Sequence, residues 1–149
     1  MSRSIFLTLP VEPIRATAQS AGRIVRTKDG RMFIAKFQKG SLRRFEESLM
    51  AEIHAQMSRL YPDFSTPDRS VPVSAWIGFS FPPLKHNVKQ KKPQPKTTRP
   101  DLDNMAKSMI DCLTKCRLLA DDSQITTLTL TKQIHPERGM ICVHLIYSV

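Results

Sequence analysis

Apolar residues never run for the roughly eighteen positions that a membrane-crossing helix requires, and the stretch at residues 5–9 is too brief for the apolar region of a secretory signal. The chain is therefore expected in the cytoplasm, without a membrane partner. Cysteine is scarce: Cys112, Cys116 and Cys142 are odd in number and form no C-x-x-C pair, which argues against a disulfide framework or a common zinc pattern and leaves buried thiols. Acidic residues are in deficit, since 13 Asp and Glu face 23 Lys and Arg, for a net charge of +10 and a pI near 10.0. Such a surface calls for a polyanionic partner, with nucleic acid foremost. An anionic membrane would ask for one basic face on an amphipathic helix, whereas many basic residues here run through a proline-rich stretch.

What is present suits one folded domain over residues 1–149: 40% hydrophobic and 24% charged residues, with no internal repeat. Residues 4–9 alternate weakly and stop at Pro10, as a short strand would. Residues 23–26 and 31–37 flank Asp29-Gly30, a dipeptide suited to the positive φ of a hairpin turn. From 41 to 60, Leu42, Phe45, Leu49, Ile53, Met57 and Leu60 recur at helical intervals, with Ser41 as the expected cap. Residues 73–81 read as a strand with Val73, Ala75, Ile77, Phe79 and Phe81 on one face. A second helix is predicted over 102–116, burying Leu102, Met105, Met109, Cys112, Leu113 and Cys116. Residues 124–134 and 140–147 look like a closing hairpin. The order predicts an α+β fold, a mixed sheet of about five strands with two main helices.

Between residues 82 and 100 the composition changes: Lys85, Lys89, Lys91, Lys92, Lys96 and Arg99 appear among five prolines and no acid. This reads as a mobile basic loop that orders on an anionic partner, and those six side chains are the candidate DNA contacts. An acidic cluster follows directly. Asp101, Asp103, Asp111, Asp121 and Asp122 are five of the thirteen acids within 22 residues. Carboxylates beside a phosphate-binding arm weaken binding unless they hold a divalent cation. Asp103, Lys107 and Asp111 follow one another at four-residue spacing, on the helix face opposite the apolar stripe. On spacing alone two readings stay open: a cation site, or a helix cap, an i,i+4 ion-pair ladder and a turn.

Arg99-Pro100-Asp101-Leu102-Asp103-Asn104-Met105-Ala106-Lys107, then Asp111, then Asp121-Asp122-Ser123-Gln124-Ile125 resembles the signature of the RusA family of Holliday junction resolvases. These are small homodimeric endonucleases common in phages and prophages, acting in DNA recombination and repair. The resemblance implies phosphodiester hydrolysis at four-way DNA junctions by paired nicks, with Mg²⁺, or Mn²⁺ in its place, and no small-molecule cofactor. It implies that Asp101, Asp103 and Asp122 bind the metal and that Lys107 is the catalytic lysine, preferred in its charged form. Asn104 and Asp111 would support, Asn104 by orienting a carboxylate or contacting the backbone and Asp111 by pairing with Lys107, while Asp121 would be a neighbour. The chain departs from the pattern at Lys115-Cys116-Arg117, where many relatives carry a glycine. One alternative, from another class, is a non-catalytic branched-DNA-binding protein; a second, which differs only in substrate, is a metal-dependent nuclease for other branched nucleic acids.

Overall fold

The computed structural model describes residues 2–14, 21–37, 40–84 and 91–149. The elements are β1 (Ser2–Leu9), β2 (Ala21–Arg26), β3 (Met32–Phe37), α1 (Gly40–Leu60), β4 (Val73–Phe81), β5 (Gln94–Pro95), α2 (Leu102–Lys115), β6 (Ile125–Ile134) and β7 (Met140–Ser148). Five strands form one mixed sheet in the order β1-β7-β4-β6-β5, and β2-β3 stands apart as a two-stranded hairpin. The α+β expectation is met, with the sheet's fifth strand supplied by the short β5 inside the basic segment.

Strand β4 explains the topology. Its residues are almost all buried, so it needs a neighbour on each side. It pairs antiparallel with β7 and parallel with β6. The expected closing hairpin is therefore not formed: β6 and β7 are consecutive in the chain but separated by β4. Residues 135–139 step over the end of β4, where the His135 N–H donates to the Phe81 carbonyl at 2.8 Å. A link of this length spans two strand spacings of about 4.8 Å each, which a tight two-residue turn would not. The earlier hairpin does form. The Gly30 N–H donates to the Thr27 carbonyl at 3.0 Å, and Gly30 alone takes the positive φ, +79°, beyond which the strands pair.

The core lies between one face of the sheet and the two helices. Ile5, Leu7 and Leu9 from β1, Val73 to Phe81 alternately from β4, and Ile141, Val143, Leu145 and Tyr147 from β7 meet Leu49, Ile53 and Met57 of α1 and Met105, Met109, Cys112 and Leu113 of α2. Polar ties fix the helices to it. The Gln56 amide of α1 donates to the Thr8 carbonyl at 2.6 Å. Glu46, buried in α1, meets Lys115 of α2 at 3.6 Å. Helix α1 begins at Gly40, so Ser41 stands inside its first turn and is not the cap. Burial pushes the Cys112 and Cys116 thiols up to about 12 and about 11. Cys142 is only half-buried, so the expectation of buried thiols holds for two of the three. Among the described residues no helix is long and apolar enough to cross a membrane.

Helix α2 ends in a Schellman motif. The Leu118 N–H donates to the Leu113 carbonyl and the Arg117 N–H to the Thr114 carbonyl, each at 3.0 Å. Arg117 sits at φ +60°, the left-handed position that glycine fills without cost. The departure noted in the sequence thus falls on the strained residue. Arg117→Gly is expected to raise stability by about 0.5–1 kcal/mol, and Arg117→Ala, which keeps the Cβ, is not; equal melting temperatures for the two variants would refute the strain.

Candidate active site

Helix α2 is rotated by its own apolar stripe. With Met105, Met109, Cys112 and Leu113 buried, Asp103, Lys107 and Asp111 emerge on the opposite, exposed face. They line one wall of an open groove of about 490 Å³ whose other wall is Leu128 and Leu130 of β6 and whose end is closed by Ile125 and Asp122. A second hollow of about 370 Å³ is lined by Asp111, Thr114, Lys115, Asp121 and Asp122. Asp111 and Asp122 line both, which makes the acidic surface continuous around the end of the helix.

Asp122 is held there by its neighbours. Residues 122–124 form a single 3-10 turn, and Asp121 caps it by accepting from the Ser123 N–H at 3.0 Å. Gln124 completes a capping box: its side-chain oxygen accepts from the Ala120 N–H at 2.6 Å and the Asp121 N–H at 3.1 Å. Its amide nitrogen donates to the Asp68 and Val71 carbonyls at 2.9 and 3.0 Å, so this buried side chain ties the turn to the loop before β4. Arg69 meets the other oxygen of Asp121 at 3.0 Å. The two adjacent aspartates thus differ: Asp121 is spent on structure, while Asp122 is exposed and lines the groove. Hydrogen bonds from the Ser123 side chain and backbone, helped by Arg69, hold the Asp121 carboxyl below its ordinary range.

The structure brings together Asp103, Lys107, Asp111 and Asp122 but does not gather every expected residue. Asp101 is the N-cap residue of α2 yet makes no side-chain cap bond, and it does not line the groove. Asn104 lies on the other flank of α2, in a hollow of about 10 Å³ beside Pro13, Phe45 and Phe79, and does not line the groove that holds Asp103 and Asp122. Lys107 and Asp111 do not stand within ion-pair distance of each other, unlike the exposed i,i+4 pair Arg43 and Glu47 of α1, which meet at 2.9 Å. Among the described residues no three His, Cys, Asp or Glu side chains form a metal-binding group. The donors nevertheless suit a hard cation. Asp103 and Asp122 offer carboxylate oxygens with no cationic partner among the described residues, and Mg²⁺ is commonly held by one or two carboxylates together with substrate phosphate.

Of the basic segment, Lys85 and Lys89 lie outside the described residues; Lys91, Lys92 and Arg99 are exposed and Lys96 half-buried. Within this otherwise irregular stretch, residues 94–96 are tied to β6. Gln94 and Pro95 pair with Ile134 and Gln133, the Lys96 N–H donates to the Lys132 carbonyl at 3.2 Å, and the Lys96 ammonium lies 5.1 Å from the Phe81 ring centroid. Sequence reading missed Gln124, Arg69, Lys132 and the apolar groove wall. Only Gln124 carried a signal, as the fourth residue of an Asp-x-x-Gln capping box.

The model of the family described as "Endodeoxyribonuclease RusA" matches residues 13–145. The chain is also 40% identical over 76 residues to "Crossover junction endodeoxyribonuclease rusA" of Lactococcus phage r1t, an alignment that covers 50% of this chain and 53% of that protein. The chain thus spans about half the length of the curated relative it matches.

The division of labour between the aspartates is measurable by urea denaturation. Gln124→Ala, which strands four backbone groups, is expected to cost about 2–4 kcal/mol, while Asp122→Asn stays within about 0.5 kcal/mol of the parent. Asp121 has a folded pKa below its unfolded one, so its contribution is complete above the ordinary carboxylate range and is lost as pH falls through the folded value. Asp121→Asn should therefore flatten the acid limb of the stability profile; an unchanged limb would assign that limb to other groups.

Proposed function

Because the chain belongs to the RusA family of endodeoxyribonucleases, we propose that it is a metal-dependent endodeoxyribonuclease that resolves four-way DNA junctions by paired symmetric nicks, in recombination and repair in the cytoplasm. The observation that carries this reading is the single groove into which α2 and the 3-10 turn deliver Asp103, Lys107 and Asp122. Asp103 and Asp122, with Asp101 from the start of the helix, would hold Mg²⁺, or Mn²⁺ in its place. When bound, the ion supplies Lewis-acid stabilisation of phosphate charge and a more acidic water.

The rest of the chemistry falls to side chains. Lys107 is a compact cation four residues from Asp103 on the same exposed helix face, placed to contact the scissile phosphate and to offset charge that builds on it. Leu128 and Leu130 give the groove a low-polarity wall, which strengthens such contacts by displacing water. Lys91, Lys92, Lys96 and Arg99 approach the groove along the chain and would track the flanking backbone, reading shape and phosphate positions. The near two-fold symmetry of a four-way junction is matched by a C₂ homodimer, which presents two equivalent grooves for the two nicks.

Cleavage of an end-labelled synthetic junction with and without Mg²⁺ tests the reading. The parent should give paired, metal-requiring nicks, and Asp103→Asn, Asp122→Asn and Lys107→Met should each lose about 100-fold or more in rate. Removing Lys91 and Lys92 together should leave the chemistry intact and lower the slope of log affinity against log salt by about 1.8. Tight junction binding with no metal-dependent nicking would favour a non-catalytic branched-DNA-binding protein, and preferential cutting of flaps or other branched forms would change the substrate.

A further inference from the structure

The segment that leads into α2 is held from an unexpected direction. Lys132 stands on β6 in register with the buried Phe79 of β4. Its ammonium donates to the Thr98 carbonyl at 2.9 Å and to the Pro100 carbonyl at 2.7 Å. The carbonyl of Lys132 itself accepts from the Lys96 N–H. One residue therefore grips the basic segment at three successive alternate positions, 96, 98 and 100, immediately ahead of Asp101.

That grip has a price in solvation. Lys132 is half-buried and makes no ion pair among the described residues, so its charge is satisfied by peptide dipoles in place of a carboxylate. If the lysine served only to bind DNA phosphate, an exposed position would do so at less cost. Its contacts fix backbone instead. Asp101 has no side-chain cap bond to orient it, so where its carboxylate stands depends on the course of residues 98–100. The same residues set where the exposed Arg99 leaves the sheet.

We propose that Lys132 is a positioning residue which clamps the basic segment to the edge of the sheet and thereby fixes where Asp101 stands at the start of α2. This rests on the nuclease reading above. Lys132 acts through the backbone and touches neither metal nor phosphate, so its loss should raise the Mg²⁺ requirement without weakening metal-free junction binding beyond what one lost surface charge explains.

The experiment compares the parent with Lys132→Met, which keeps the aliphatic stem, and with Lys132→Arg, which keeps a cationic donor. Two readouts are used. Trypsin cutting after Lys96 should accelerate about tenfold in Lys132→Met. The Mg²⁺ concentration for half-maximal junction cleavage should rise about tenfold or more. Lys132→Arg should recover both at least in part, and circular dichroism should give all three proteins the same secondary structure. Parent-like proteolysis in Lys132→Met overturns the clamp, and so does a loss of cleavage at every Mg²⁺ concentration with the segment still protected, which would make Lys132 a direct participant. A parent protein that never nicks the junction defeats the nuclease reading alone, because proteolysis still reports on the clamp; should Lys132→Met fail to fold, Lys132→Gln carries the same comparison.

Discussion

Everything about the groove depends on the way α2 is pinned to the sheet. Each of Met105, Met109 and Leu113 is worth about 1.5–3 kcal/mol when taken out of water, and all three are buried against the sheet-side core together with Cys112. A helix has one rotation that satisfies that stripe. Turning it by a single residue, about 100°, would drive a carboxylate or the Lys107 ammonium into the core, at a cost that no surface contact offsets. Asp103, Lys107 and Asp111 therefore face outward because the other side of the helix has nowhere else to go. The chemistry is a by-product of packing, and it inherits the rigidity of the core.

The parallel pairing of β4 with β6 is the second constraint. Parallel neighbours cannot be joined by a tight turn, so a long crossover must leave the end of β4 and return to the start of β6. Here that crossover is the basic segment followed by α2. One topological requirement thus threads the basic residues, the first aspartates and the turn bearing Asp122 through a single connection that both begins and ends at the sheet. β5 and Lys132 fasten its outgoing half to the edge of β6, and Gln124 fastens its returning half to the loop before β4.

Local order was legible in the sequence, and non-local order was not. The spacing of Leu49, Ile53 and Met57 and of Met105, Met109 and Cys112 foretold both helices and their buried faces, because that period is written in neighbouring residues. The alternation at 73–81 foretold β4 to its ends. The pairing of β6 and β7 was misread because alternation says which face a residue takes and not which strand lies beside it. Asn104, one residue on from Asp103, is turned by its position on the helix toward another flank, which its place in the motif did not reveal. The acidic cluster was visible as composition. The local capping box around Asp121 was visible as Asp-x-x-Gln, but its ties to Arg69 and to the Asp68 and Val71 carbonyls were not, since those partners lie some fifty positions away in the chain. Lys132 lacked any signal, as a lysine in a threonine-rich strand.

The electrostatics of the groove run against those of the molecule. A chain with a net charge of +10 draws polyanions to its surface from a distance, through a field that is screened over about 8–10 Å at ordinary salt. Within the groove the balance reverses, because Asp103, Asp111 and Asp122 outnumber Lys107. A phosphodiester guided in by the basic segment would meet repulsion at the last step unless a cation of charge +2 had neutralised that excess. Under the proposed function, long-range attraction and short-range repulsion would together make a gate: any duplex could approach, but a phosphate would enter the groove only as part of a ternary arrangement with the ion. In this reading Asp111 sets how strongly the empty groove rejects phosphate, without having to be a metal ligand. The low-polarity wall of Leu128 and Leu130 sharpens both the repulsion and its relief, since charges interact more strongly where water is thin. On the same proposal, non-specific binding would be strong without becoming cleavage, as a nuclease that tolerates abundant duplex around a rare branch point requires.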